Sequence, residues 1–224
     1  MSWEPVHLTI KKQRQALQNE IIKRKQTELE LQKINDQLQE ANHKLELLSN
    51  IDGLTQIANR RRFNDYLLLQ WQHHQREQKS IALILVDIDY FKFYNDSYGH
   101  QGGDDCLIQV AQAIAKVPQR VVDLVARYGG EEFAVILPNT SIEGALLVAE
   151  SIQEVIANLD IPHQNSSVSD RITLSLGVAS LIPTTEQSLE TLIAHADEAL
   201  YSAKKQGRNQ AIAYYELTQV TART

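Results

Sequence analysis

Two stretches of the chain carry acidic side chains where an ordinary fold has little use for them. "RYGGEEF", residues 127–133, sets Gly129 and Gly130 before the adjacent carboxylates Glu131 and Glu132, at the start of the apolar run "FAVILP". "IALILVDIDYFKFYND", residues 81–96, ends a second apolar run on Asp87 and Asp89, followed by an aromatic-rich turn with Asn95 and Asp96. An isolated Gly-Gly-Glu-Glu suits a tight hairpin whose carboxylates face water, and one of the aspartates suits a helix N-cap. The chemical alternative starts from the cost of leaving charged groups at the end of a buried strand without a positive counterpart. A hard divalent cation supplies one: Mg²⁺ takes a few carboxylate oxygens and completes its shell with water and substrate phosphates. If the strand bearing Asp87 lies beside the hairpin, Glu131 and Glu132 join it in one carboxylate cluster at a sheet edge.

The elements that must position these groups follow from periodicity. From Asp52 onward helices and strands alternate: a helix from "DGLTQIANRRRF" to about Gln78, the buried strand "IALILVDI", and the amphipathic helix "DDCLIQVAQAIAKV". "DLVARY" and "EFAVILP" flank the Gly-Gly as a hairpin. A helix from about Ile142 to Leu159, the strand "RITLSLGVAS", the helix "LETLIAHADEALYSAKKQ" and the strand "QAIAYY" complete the domain. The expected fold class is α+β, one mixed sheet covered by helices.

Residues 10–49 obey a different grammar. The segment has no Gly or Pro and is built of Gln, Glu, Lys and Leu, which predicts one long helix. Leu31, Leu38 and Leu45 recur every seven residues, with Ile34, Ala41 and Leu48 three residues after each. This seam is too narrow for a globular core and predicts a coiled coil, most simply a parallel homodimer, roughly 60 Å long at 1.5 Å per residue. Asn35 and Asn42 form a competing seam four residues after Leu31 and Leu38, so two registers of similar energy are expected to switch as a signal passes. The expected division is a signalling helix over 1–50, a catalytic-sized domain over 51–216 and a tail over 217–224.

With 224 residues and 43% hydrophobic content, the chain has room for one core plus this appendage. A net charge of −6 without any basic block gives no reason to expect nucleic acid or a membrane surface as partner. No apolar run approaches a bilayer span, and "MSWEPVHLTIKKQRQ" lacks the apolar core of a secretory signal, so a cytoplasmic protein is expected. Cys106 is the only cysteine, which excludes an internal disulfide; it reads as a small packing residue on a helix.

The combination "DGLTQIANRRRF", "VDIDYFKFYNDSYGHQGGDD", "RYGGEEF", "SLGVA" and "ADEALYSAKKQGRN" resembles the GGDEF domain of diguanylate cyclases, in its GGEEF variant, over about residues 50–215. The resemblance implies a nucleotide-cyclase-like domain that joins two GTP molecules into cyclic di-GMP and releases two pyrophosphates. It implies that Asp87, the backbone carbonyl of Ile88 and Glu131 hold Mg²⁺ or Mn²⁺, two ions per site, with Glu132 close to the metal and the 3′-hydroxyl. The Gly129–Gly130 turn would let backbone approach the nucleotide. Asn95 and Asp104 match the readers of the guanine edge, with His100 nearby; a carboxylate that accepts from guanine N1–H and N2–H finds no such pair on adenine. Lys204 and Arg208 match phosphate-binding cations, and the amides of Tyr90, Phe91 and Lys92 would cover the triphosphate. Without that company, Lys204 and Arg208 read as charges near a helix C-terminus.

The implied reaction is attack of one GTP's 3′-oxygen on the α-phosphorus of the other, helped by positioning and charge neutralisation. The 3′-proton acceptor stays open among Glu131, Glu132 and a metal-bound water. Since each domain binds one GTP, two must face each other, and a coiled coil would raise their effective concentration. "RVVD", Arg120 to Asp123, stands at the offset of the family's product-inhibition site, where an Arg and a carboxylate grip cyclic di-GMP. Leu147 and Ser151 stand where relatives often supply a further arginine, and Gln56 in "LTQIANRR" where they usually have glycine. The alternatives are a catalytically silent GTP or cyclic di-GMP receptor, a mere dimerisation module, and a cyclase making a mixed guanine–adenine product. Both Glu131 and Glu132 are present, against the first; Asp104 argues against the last. The expected upstream partner is a sensor domain or an activating protein.

Overall fold

The structure, a computed structural model, describes Arg14, Gln18, Glu20, Ile21 and residues 23–40 and 50–214. Contacts divide the chain into two compact units, Met1–Ser49 and Asn50–Thr224. In the first, residues 23–40 are helical, and Leu29, Leu31, Ile34 and Leu38 are each more than half exposed, at 69, 66, 64 and 56%. Ala41, Asn42, Leu45 and Leu48 of the two expected seams, and the tail 217–224, lie outside the described residues.

The second unit is built around one five-stranded sheet in the order β2-β3-β1-β4-β5. The strands are β1 (Ile81–Ile88), β2 (Leu124–Gly129), β3 (Glu132–Pro138), β4 (Leu174–Leu181) and β5 (Ala211–Ala213). β1 pairs antiparallel with both β3 and β4, β2 with β3, and β4 with β5 in parallel, so the sheet is mixed as expected. Among the described residues four helices, α1 (Arg60–Glu77), α2 (Phe91–Ala115), α3 (Ile142–Ala157) and α4 (Leu189–Lys205), cover it.

The period of two along β1 sorts the core. Ala82, Ile84, Val86 and Ile88 pack with α2 and α3 through Leu107, Val110, Ala149 and Ile152. Ile81, Leu83 and Leu85 pack on the other face with α1 and α4, against Phe63, Leu67, Trp71, Leu192 and Ala196. A central strand buried on both faces explains why "IALILV" is uninterruptedly apolar although its neighbours are antiparallel. Continuing the alternation, Asp87 belongs to the α1/α4 face. Close approach of α4 to β4 requires Gly177, since a Cβ there would run into the Ala196 carbonyl and the Leu200 backbone; this is the physical content of "SLGVA".

Two helix starts differ from the sequence reading, and two strands are shorter than read: β4 begins at Leu174 and β5 covers only Ala211–Ala213. The expected aromatic-rich turn is helical from Phe91. Tyr90 turns the chain in one residue with a left-handed backbone (φ 56°), and Tyr94 N–H closes the first helical bond on the Tyr90 carbonyl at 3.1 Å. Phe91 and Tyr94, three apart, enter the core and give that first turn the apolar face that a turn would have lacked. Gly99 (φ 74°, ψ 166°) then breaks α2 into two segments. At the other boundary, α1 starts only at Arg60, with Asn59 Oδ1 accepting from Arg62 N–H at 3.0 Å as its N-cap. "DGLT" before it is a turn in which Asp52 Oδ1 accepts from the Thr55 amide (2.9 Å) and hydroxyl (2.7 Å).

Candidate active site

The end of β1 and the β2–β3 hairpin are adjacent because β1 and β3 pair, and the register sets Asp87 directly opposite Glu132. Gly130 and Glu131 form the turn, with Gly130 left-handed at φ 53°. A Cβ at Gly129 or Gly130 would meet no atom within 4 Å, so the space above this turn is open. The two adjacent carboxylates have different surroundings: Glu132 stands in the ladder beside Asp87, whereas Glu131 lines a cleft of about 410 Å³ with α2.

Asp87 meets Lys204 Nζ at 2.7 Å, a contact that α4 makes because it packs on the face toward which Asp87 alternates. Burial is the main influence on its carboxyl; with Glu131 and Glu132 adding to it and Lys204 opposing, the pKa rises from 3.8 to about 6. One ammonium therefore faces three carboxylates, and this all-oxygen surplus of negative charge fits a hard divalent cation. Among the described residues no three His, Cys, Asp or Glu side chains converge as a complete metal cage.

The cleft brings Phe91, Lys92, Asn95, His100, Asp104, Gly130 and Glu131 together. Asn95 reaches it because residue 103 is glycine; a Cβ at Gly103 would collide with Asn95 Oδ1. Tyr90, Asp87 and the two cations form a neighbouring group: the Arg208 guanidinium lies over the Tyr90 ring at 4.3 Å, and its Nε is 3.9 Å from Asp89 Oδ1. Arg120 and Asp123 are not part of either group. They form a separate two-point pair on the loop before β2, Nε to Oδ2 at 3.1 Å and Nη2 to Oδ1 at 2.7 Å. Leu147 is exposed, and Ser151 turns its hydroxyl back onto the Leu147 carbonyl at 2.9 Å.

Three supporting roles escaped the sequence reading, including that of Asp89, which it singled out only as a carboxylate at the end of the strand. Asp89 is 1% exposed and accepts from Thr173 Oγ1 (2.8 Å), Ser175 Oγ (2.6 Å) and the Asn209 amide (3.0 Å), so it anchors the loop that carries Arg208. Arg127 joins the hairpin to the start of the domain, donating to the Gly130 carbonyl (2.9 Å) and to Asp52 Oδ1 (3.2 Å). Thr140 accepts from Arg120 Nη2 at 2.7 Å while donating to the Pro138 carbonyl at 3.0 Å. The "DID" and "RYGG" spacings were visible signals for the first two. Thr140, twenty residues from Arg120, left none.

Comparison with known proteins bears on the family and the fold. The family model described as "Diguanylate cyclase, GGDEF domain" matches residues 49–210, and the chain belongs to that family. The probable diguanylate cyclase DgcC of Escherichia coli strain K12 is 36% identical over 173 residues, taking in 77% of this chain but 45% of DgcC. The chain thus matches less than half the length of that relative. The crystal structure of the GGDEF domain of DgcB from Caulobacter crescentus in complex with c-di-GMP superposes with a TM-score of 0.67 at 36% identity, covering 75% of this chain and 96% of that one. An active GGEEF domain of a diguanylate cyclase from Vibrio cholerae gives 0.63 at 34% identity, over 71% and 98%. No helix among the described residues is long and apolar enough to cross a membrane.

Proposed function

We propose that this chain is a diguanylate cyclase that condenses two GTP molecules into cyclic di-GMP and two pyrophosphates. The observation that carries the reading is the pairing of Asp87 with Glu132 and Lys204 next to Glu131, which lines a cleft together with Asn95 and Asp104. Asn95 and Asp104 orient the base, Asp104 accepting from the N1–H and N2–H edge that only guanine presents. The amides of Phe91 and Lys92, at an N-terminus with no side-chain cap, bind phosphate oxygens together with Lys92. Lys204 and Arg208 neutralise the rest of the triphosphate.

Asp87, the Ile88 carbonyl and Glu131 are the groups that would hold Mg²⁺ or Mn²⁺. When bound, such ions neutralise phosphate charge and polarise the α-phosphorus for attack. The chain's own carboxylates handle the proton: the attacking 3′-hydroxyl passes it to the Glu131–Glu132 pair as the 3′-oxygen bonds to phosphorus and pyrophosphate leaves. Two domains must meet, and the exposed Leu31, Ile34 and Leu38 support a homodimer through the N-terminal helix. Arg120 and Asp123, clear of the cleft, suit a second site for the product, and the chain works in the cytoplasm under an upstream sensor domain or activating partner.

The test is incubation with GTP and Mg²⁺, with products identified by chromatography and mass and Glu131→Ala as control. Cyclic di-GMP from the parent and none from the variant is the expected result. GTP binding without product, even at high protein concentration, would instead select a silent receptor.

A further inference from the structure

One buried imidazole lies behind the cleft and takes no part in the chemistry above. His163, 0% exposed, sits between α3 and β4 with Nε2 3.2 Å from the Tyr90 carbonyl oxygen. A carbonyl only accepts, so Nε2 carries the proton and Nδ1 is a bare lone pair. Nδ1 has no hydrogen-bond partner among the described residues. Burial holds the ring's pKa below the usual imidazole value, the bond to Tyr90 opposing it, so the neutral tautomer prevails at neutral pH.

The Tyr90 carbonyl thus receives two bonds, one from Tyr94 N–H and one from His163. Tyr90 is a bulky residue in the left-handed region, a conformation that persists only when its surroundings hold it. No side chain caps this helix from the front, which leaves the Phe91, Lys92 and Phe93 amides open, and His163 fixes the turn from behind. The next residues extend the hold. The Gln164 amide reaches Tyr98 Oη at 3.4 Å, and Asn165 Nδ2 donates to Ser97 Oγ at 2.7 Å. The His163 ring also stands edge-on to Tyr94, centroids 5.3 Å apart. Its own backbone is anchored, N–H to the Asp170 carbonyl at 2.7 Å. Residues 163–165 therefore grip both ends of the short helical segment, before the Gly99 break, on which Asn95 rides.

We propose that His163 is a positioning residue for the nucleotide: its Nε2–H holds the Tyr90 carbonyl, and so the turn that aims the open amides at phosphate, while Asn165 holds the far end. The proposal rests on reading the cleft as a GTP site. His163 touches no substrate and acts through Tyr90, so its loss weakens binding of ground and transition states alike.

The full chain is compared as parent, His163→Phe, which keeps a ring but no donor, and His163→Gln, which keeps a donor at similar reach. Readouts are KM and kcat for GTP, the affinity for 3′-deoxy-GTP, which binds but cannot condense, and thermal unfolding. His163→Phe is expected to raise KM and weaken 3′-deoxy-GTP about fivefold, with kcat within about twofold, and His163→Gln to recover most of the loss. Parent-like binding in His163→Phe overturns the proposal, as do equal losses in both variants, which would indicate packing alone. Should His163→Phe fail to fold, Asn165→Ala decides: a raised KM at unchanged kcat supports the clamp, and a parent KM overturns it. If the parent itself neither binds 3′-deoxy-GTP nor makes product, the functional reading fails first and this proposal falls with it.

Discussion

Asp87→Asn is expected to stabilise the metal-free protein at pH 8 while abolishing product formation. The reason is the environment of one carboxyl. Buried beside Glu131 and Glu132 and countered only by Lys204, it titrates at about 6 instead of 3.8. A folded-state pKa above the unfolded one means that the native state binds the proton more tightly. The associated stability is full below pH 3.8 and is lost as pH rises through about 6. At about 1.4 kcal/mol for each pH unit between the two states, the loss by pH 8 is about 3 kcal/mol. Asparagine keeps the volume and an oxygen that can accept from Lys204, but carries no charge to desolvate. Thermal unfolding in chelator-containing buffer should therefore place Asp87→Asn above the parent at pH 8 by about 6–12 °C. The gap should close toward pH 4. A gap of the same size at both pH values, or a variant less stable than the parent at pH 8, would refute the argument from buried charge.

Arg120→Ala should relieve inhibition by added cyclic di-GMP without lowering the uninhibited rate; Thr140→Val, which removes one acceptor from the Arg120 guanidinium, should raise the inhibitory concentration about fivefold. Gly103→Ala should raise KM for GTP about tenfold, because the new methyl displaces Asn95 from the cleft; an unchanged KM in steady-state kinetics would remove Asn95 from base recognition. Gln56 has φ 59°, so Gln56→Gly should unfold in urea with about 1 kcal/mol more stability than Gln56→Ala. A chain of residues 50–224 should bind GTP but lose turnover steeply on dilution, read from specific activity against concentration, whereas the full chain should not.

The usual glycine at position 56 shows how a local rule becomes legible only with a structure. The sequence marks Gln56 as a departure at a junction. The backbone shows why glycine suits it: a left-handed turn beside Asp52, which Arg127 ties to the β2–β3 hairpin. The clamp at residues 163–165 was silent for the same reason. "PHQNS" has no periodicity and no chemical spacing, and its meaning comes from a pairing with residues 90–98, some seventy positions away.

The amino-acid sequence alone determined the alternation of elements, the apolar strand of "IALILV" and the carboxylates that end it. These depend on short-range periodicity, and on five different motifs that stand in order along the chain. Tertiary structure decided the partners. Register set Glu132 against Asp87, the period of two turned Asp87 toward α4 and Lys204, and Gly103 gave Asn95 its direction into the cleft. It also decided that Asp89, next but one to Asp87 and chemically identical, is an anchor for a loop, because Thr173, Ser175 and Asn209 donate to its oxygens. Two aspartates two residues apart look alike in a string. Folding separates them by burying one in donors and leaving the other in surplus negative charge.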